Sequence, residues 1–142
     1  MPSQTIRDLM TEDPVRLSTG TTVVEAARAM RDRDVGAVLV MKSGDELCGL
    51  VTDRDIAMRA VAEGRDPNRT SLDEVCSHQV TTVRAEDSTD TAVRLMREHA
   101  VRRLPVVDEG GRPVGIVSLG DLAVEGDPDS ALGEISAAEP NR

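Results

Sequence analysis

Two short motifs that place a hydroxyl three positions before a carboxylate have the clearest chemical potential in this sequence. Thr52 and Asp55 form one, directly after an apolar run, and Ser118 and Asp121 repeat it. This spacing is typical of a capping box at a helix start. A helix start also offers backbone N–H groups and a partial positive charge that suit an anionic phosphate. The motifs therefore leave two roles open, helix capping and ligand binding.

Other candidates for catalysis or metal binding are sparse. The densest combination is Cys76 followed by His78, in a chain with two cysteines and two histidines. A metal site would need partners brought in by folding, and this pair is a far weaker signal than paired Cys-x-x-Cys motifs. Cys48 and Cys76 are expected to be buried small hydrophobic residues. No Gly-x-Ser-x-Gly, Walker or Cys/His catalytic pattern is present. We predict no metal site and no enzymatic activity.

The two hydroxyl-carboxylate motifs belong to an internal repeat. Residues 6–58 align without a gap on residues 72–124, so every position has its counterpart 66 residues later. The repeat places Gly49 on Gly115 and Asp55 on Asp121. Because a repeat fixes the architecture, we expect a pseudo-twofold pair of similar α/β halves. In a chain of 142 residues the halves are expected to pack as one unit.

Each copy is predicted to fold in the order β-α-β-β-α. In the first copy, apolar spacing predicts a short strand at 15–17, a helix over 22–33, a hairpin from 35–41 and 47–51, and a helix over 56–62. The second copy repeats this pattern with a shorter closing helix. The predicted boundaries are repeat 1 at 6–64, a polar linker at 65–71, repeat 2 at 72–125 and a mobile tail at 126–142.

Composition narrows the classes of partner. The formal net charge is −9, so nucleic acid and anionic membrane surfaces are not expected as partners. No run approaches the roughly 20 apolar residues of a membrane span, and the sequence starts without a secretory signal, so a cytoplasmic location is expected. The chain contains no Phe, Trp or Tyr, so any bound ring must lie between aliphatic side chains.

The repeated sequences Gly49 to Asp55 and Gly115 to Asp121, with the strand sequence of residues 101–108, resemble a tandem pair of CBS (cystathionine β-synthase) domains, a Bateman module. The resemblance covers about residues 6–124. The chain is similar to stand-alone bacterial CBS pairs, including the hypoxic response protein type. The resemblance implies a nucleotide cleft between the repeats, where Asp accepts the ribose hydroxyls and Thr or Ser faces the phosphate.

Carried over to this chain, the resemblance implies two unequal positions for a ligand. One gathers Thr52, Arg54 and Asp55, with Arg103 contributed by the other repeat. The other has Ser118 and Asp121 without an arginine. Because guanidinium groups bind phosphate in bidentate fashion, the first position is predicted to take the phosphate.

The sequence therefore predicts a regulatory module that senses an adenosine-containing ligand, either AMP, ADP, ATP or S-adenosylmethionine. No obligatory cofactor is expected. Its expected partners are an effector protein and a second copy. The resemblance implies a homodimer formed through the partly covered apolar faces of the helices predicted over 22–33 and 88–99. Two alternatives remain open: a dimerisation or scaffold protein that binds no ligand, and a metal-dependent sensor that uses the acidic surface.

Overall fold

The chain folds into two compact units that do not coincide with the sequence repeats. In the computed structural model, residues 4–43, 46–78 and 80–126 are described. The central unit is Pro14–Val80, and the terminal unit combines the chain up to Asp13 with the chain from Thr81 onward. The predicted repeat boundaries at 6–64 and 72–125 describe the sequence repeat, whereas the structural units divide after Asp13 and after Val80.

The central unit contains a three-stranded sheet in the order β2-β3-β4. Strand β3 is parallel to β2 and antiparallel to β4. All five residues of β3 are buried, which explains the continuous apolar run in the sequence. The elements are β2 (Arg16–Ser18), α2 (Val23–Arg33), β3 (Ala37–Met41), β4 (Leu47–Thr52), α3 (Asp53–Ile56), a π-helical turn (Ala57–Val61) and α4 (Leu72–Val75).

The terminal unit contains a four-stranded sheet in the order β1-β7-β6-β5. Strand β1 comes from the N-terminal segment and pairs antiparallel with β7. Strands β6 and β7 form an antiparallel hairpin like that of β3 and β4. The elements are α1 (Ile6–Leu9), β1 (Thr11–Glu12), β5 (Val83–Arg84), α5 (Thr89–His99), β6 (Arg103–Val107), β7 (Pro113–Ser118) and α6 (Leu119–Gly126).

Each unit completes its core with the short helix that begins the other repeat. Ile6 of α1 is fully buried with the core residues of the terminal unit. Leu72 and Val75 of α4 are fully buried in the core of the central unit. The segment predicted as a linker is also fixed there, because the Val23 N–H donates to the Thr70 carbonyl at 2.9 Å. The first helix of each repeat thus packs in the unit that contains the rest of the other repeat.

Most predicted elements are present with shifts of one to three residues at their ends. Helix α2 starts with the predicted capping box, in which the Glu25 N–H donates to Thr22 Oγ1 at 3.3 Å. The helix predicted over 56–62 begins earlier, at Asp53, and its second half is π-helical. The turn after it ends at Gly64, whose positive φ of 70° favours glycine. The tail predicted at 126–142 lies outside the described residues except for Gly126, which ends α6.

Candidate functional site

The Thr52 motif lies at the junction of β4 and α3, where it forms a capping box. The Asp55 N–H donates to Thr52 Oγ1 at 3.1 Å, and the Thr52 N–H donates to Asp55 Oδ2 at 2.9 Å. The capping role is therefore observed. Asp55 Oδ1 lies 3.8 Å from Arg59 Nε, and the side chain is 16% exposed. Because capping uses Oδ2, Oδ1 still has lone pairs for a ligand hydroxyl. The two roles left open by the sequence are compatible.

The Ser118 motif repeats this geometry at the junction of β7 and α6. The Ser118 N–H donates to Asp121 Oδ2 at 2.8 Å, and the Asp121 N–H donates to Ser118 Oγ at 3.1 Å. Both carboxylates are only partly exposed. The same strand-to-helix junction therefore presents a hydroxyl and a carboxylate in each unit.

The two helix starts differ in which backbone donors remain for a phosphate. In the central unit the N–H groups of Asp53 and Arg54 donate to the Gly36 carbonyl and to Asp53 Oδ1, both at 2.9 Å. In the terminal unit, Leu119 stands in place of Asp53 and has no side-chain acceptor to offer Gly120. The Arg54 N–H is occupied by Asp53 Oδ1, whereas the equivalent N–H of Gly120 has no such side-chain acceptor and remains available to a phosphate.

The predicted arginines lie in different units. Arg54 is exposed at the second position of α3 in the central unit. Arg103 begins β6 in the terminal unit, and it pairs directly with Ser118 across the β6–β7 ladder. Directly paired residues place their side chains on the same face of a sheet. Arg103 is therefore a neighbour of the Ser118 motif in its own unit. The sequence analysis had assigned no arginine to that motif. Its predicted contact with a ligand held by Asp55 stays a prediction.

A second group of chemically capable side chains, not foreseen from the sequence, lies within the central unit. Cys48, Cys76 and His78 bring two sulfurs and an imidazole nitrogen within 4.8 Å of one another. Cys48 lies on β4, whereas Cys76 and His78 follow α4. The sequence indicated only the weak Cys76-x-His78 pair. Cys48 joins that pair because α4 packs onto the sheet of the other repeat, and we find no sequence signal for this exchange.

Both cysteines are buried, as expected from the sequence. Burial raises the pKa of the Cys76 thiol to about 11, and the neighbouring Cys48 adds to the rise. In the metal-free protein near neutral pH, Cys76 is therefore a protonated thiol. Because the thiolate is the nucleophile, this raised pKa makes Cys76 less reactive than an ordinary exposed cysteine.

Within the part of the chain that the structure describes, no helix is long and apolar enough to cross a lipid bilayer.

The family model for the CBS domain matches residues 6–61 and 72–125. A CBS domain-containing protein of Bacillus subtilis, YhcV, is 44% identical over 119 residues, which cover 84% of this chain and 83% of YhcV. Hypoxic response protein 1 of Mycobacterium tuberculosis is 38% identical over 119 residues, covering 84% of this chain and 82% of that protein.

Solved structures agree with these sequence matches. A crystal structure of Hypoxic Response Protein I with two coordinated zinc ions has a TM-score of 0.76 and 38% identity, and the match covers 84% of this chain and 97% of that one. A CBS domain pair in complex with 5′-methylthioadenosine and S-adenosyl-L-methionine has a TM-score of 0.81 and 23% identity, covering 91% of this chain and all of that one. The latter likeness shows the fold alone.

Proposed function

The chain belongs to the CBS domain family, and we propose that it is a regulatory module that binds an adenosine-containing nucleotide through its Thr52 and Ser118 motifs. The observation that carries this proposal is the repetition of one geometry at two strand-to-helix junctions. At both, the helix cap engages one carboxylate oxygen, Oδ2 of Asp55 or of Asp121. A carboxylate held in a fixed orientation is well suited to accept the paired hydroxyls of a ribose.

The ligand class is proposed from the family and from the composition of the chain. A protein of the same fold holds two adenosine-containing molecules, which supports AMP, ADP, ATP or S-adenosylmethionine as candidates here. With no aromatic side chain available, the adenine ring must be held by aliphatic contacts and backbone hydrogen bonds. Affinity should therefore depend strongly on the ribose and phosphate contacts.

Where the phosphate binds is a separate part of the proposal. The sequence favoured the Thr52 position because of its arginines. The Ser118 position is now the better candidate, since Arg103 pairs directly with Ser118 and the Gly120 N–H lacks a side-chain cap. Asp53, which has no acidic counterpart in the terminal unit, adds a negative charge beside Thr52 and disfavours a phosphate there.

We propose a regulatory rather than a catalytic role. The relatives named above are described by their domain or by a hypoxic response, not by a reaction. A ligand that binds one conformation more tightly shifts the population toward it, and an effector protein could read the resulting surface. The cytoplasmic location expected from the sequence stays a prediction.

The proposal is tested by calorimetric unfolding in the presence of AMP, ADP, ATP, S-adenosylmethionine and adenosine. Calorimetry is suitable because the chain has no Trp or Tyr to report unfolding by fluorescence. A ligand at one hundred times its Kd should stabilise the protein by about 2.7 kcal/mol. GTP is the control for nonspecific phosphate binding. If none of the adenosine compounds raises the unfolding temperature more than GTP does, the nucleotide proposal fails and a scaffold role is favoured.

A further inference from the structure

The sulfur and nitrogen atoms of Cys48, Cys76 and His78 are spaced as ligands of one metal ion. The imidazole Nδ1 of His78 lies 3.7 Å from Cys48 Sγ and 3.9 Å from Cys76 Sγ. Around a tetrahedral zinc ion, bond lengths of about 2.3 Å to sulfur and 2.0–2.1 Å to nitrogen place these ligand atoms about 3.6 Å apart. The observed distances therefore need changes of only a few tenths of an ångström.

The second nitrogen of His78 is already held in the way a metal-ligating histidine requires. Nε2 lies 2.9 Å from the backbone carbonyl oxygen of Asp73, so it can donate its hydrogen there. That bond leaves the lone pair on Nδ1, the nitrogen nearest to Cys48 Sγ, whereas Cys76 Sγ lies 3.7 Å from Nε2 and 3.9 Å from Nδ1. Outer hydrogen bonds of this kind fix the tautomer and the ring orientation of histidine ligands.

The backbone holds the three side chains together. Ser77, between Cys76 and His78, forms a bridge with Leu50 on β4, and its N–H donates to the Leu50 carbonyl at 3.2 Å. Gly49 allows this approach, because a Cβ atom there would clash with the Ser77 carbonyl oxygen and lie 3.1 Å from Cys76 Sγ. The ligands are thus carried by paired backbone, not by a free loop.

The terminal unit shows that this packing does not require such residues. In the repeat, Val114, Met10 and Glu12 stand in the places of Cys48, Cys76 and His78. There, too, a glycine, Gly115, allows close approach, and a Cβ on it would lie 2.7 Å from Met10 Sδ. The same backbone arrangement forms with a valine, a methionine and a glutamate. The two thiols and the imidazole therefore add a chemical capacity that the fold itself does not need.

We propose that Cys48, Cys76 and His78 bind one zinc ion in the central unit, with a water molecule as fourth ligand. Two cysteines and one histidine suit Zn²⁺, which binds sulfur and nitrogen tetrahedrally, and do not suit Mg²⁺ or Ca²⁺, which take oxygen ligands. Both cysteines are buried, whereas the His78 side chain is 54% exposed, so one side of the site is open to water. The proposal does not depend on nucleotide binding.

Titration of the reduced, metal-free protein with Co²⁺ tests the site. Thiolate ligands give Co²⁺ an intense near-ultraviolet charge-transfer band, and tetrahedral geometry gives strong visible bands. This chain has no aromatic side chain to obscure the ultraviolet band. We expect both signals to saturate at one Co²⁺ per chain and to disappear when Zn²⁺ is added. Saturation without a thiolate band would overturn the proposal.

Substitutions assign the signal to these residues. Cys48→Val uses the side chain found at the equivalent place in the terminal unit, so it should fold. It should lower Zn²⁺ affinity by about 100-fold or more, because losing a direct ligand costs at least as much as losing an outer-shell partner. His78→Gln should also weaken binding. The control is His99→Gln, which changes the other histidine and should leave affinity unchanged. Unchanged affinity in folded Cys48→Val contradicts the site.

X-ray absorption of the unaltered zinc-loaded protein gives an answer that does not depend on any variant. The expected first shell contains two sulfurs at about 2.3 Å and two nitrogen or oxygen atoms at about 2.0–2.1 Å. A shell of nitrogen and oxygen alone would place the metal elsewhere and exclude the proposed site.

Discussion

Asp55 combines a structural and a proposed binding role, and the two can be measured separately. Its Oδ2 accepts the Thr52 N–H at 2.9 Å, so truncation removes part of a helix cap. Asp55→Ala should therefore lower the free energy of unfolding by about 1 kcal/mol. If the carboxylate also receives ribose hydroxyls, nucleotide affinity should fall by about 1.5–3 kcal/mol. Calorimetry of unfolding and of binding measures the two effects.

A matched control lies in the same unit. Glu25 closes the capping box of α2 by accepting the Thr22 N–H at 3.2 Å. Glu25→Ala should reproduce the stability loss of Asp55→Ala with no effect on the nucleotide. Equal nucleotide affinities in the two variants would show that Asp55 caps the helix and does not bind the ribose.

The residue-scale predictions from sequence succeeded where the chemistry is local. A hydroxyl and a carboxylate three positions apart can reach each other's backbone N–H groups only at a helix start, so Thr52 and Asp55 indicated their own geometry. Cys48 depends instead on a contact with residues 28 and 30 positions further along the chain, Cys76 and His78. No local spacing encodes that contact, so the metal-ligand group required the structure.

At the scale of elements, the two long helices end in the same unusual way. Asp34 after α2 and Ala100 after α5 are equivalent in the repeat, and both adopt left-handed backbone, with φ of 57° and 54°. Alanine is strained there because its Cβ crowds the backbone. Ala100→Gly should therefore raise the free energy of unfolding by about 0.5–1 kcal/mol, measured by urea denaturation.

Asp34→Gly is the comparison for this effect. Aspartate enters the left-handed region more readily than alanine, so its replacement should stabilise the protein less. A larger gain from Asp34→Gly than from Ala100→Gly would contradict the explanation based on strain at Ala100.

Element types followed from periodicity, but the role of the helix faces did not. The sequence suggested that the apolar faces of α2 and α5 remain partly free for a second copy. These faces are partly covered in the structure: Val23, Ala26, Met30, Ala92 and Met96 are buried within their own units, whereas Ala27 and Val93 are exposed. Their contact with a second copy stays a prediction. Among the described residues, the large apolar side chains with the highest exposed fractions are Met58 and Val61 on the π-helical turn, at 54% and 66%. A pattern of spacing gives the apolar side of a helix but not the surface that covers it.

Homodimerisation through the faces of α2 and α5 stays a prediction, and we now expect it to involve the π-helical turn as well. Val61→Glu should then shift the protein toward monomer, because it places a charge where an apolar contact would form. Light scattering with refractive-index detection measures this in a chain that absorbs little at 280 nm. Arg69→Glu, at an 89% exposed side chain, is the control for a change of charge. A parent protein that is monomeric would refute the dimer itself.

At the scale of the whole molecule, the repeat predicted two similar halves, and the structure has them. The exchange of α1 and α4 between the repeats was not predictable from either repeat, because both short helices carry large apolar residues three positions apart, Ile6 and Leu9 or Leu72 and Val75. The exchange has a consequence for chemistry. It places Cys76 and His78 beside Cys48, and Met10 beside Gly115, so one unit gathers the three proposed metal ligands where the other has apolar packing.

The two candidate positions also differ in the charged residues beside them, and in a molecule with a net charge of −9 this local difference should decide where a phosphate binds. The negative background opposes each added phosphate charge, so the arginine beside the ligand should matter more for AMP than for adenosine. Arg103 pairs with Ser118, whereas Arg54 accompanies Thr52 and two aspartates. We therefore expect Arg103→Ala to weaken AMP binding by about 10-fold or more while changing adenosine binding little, as measured by titration calorimetry. Raised salt should narrow the gap between AMP and adenosine in the parent. Arg54→Ala is the matched comparison: if it weakens AMP binding more than Arg103→Ala does, the phosphate lies beside Thr52, as the sequence alone had predicted.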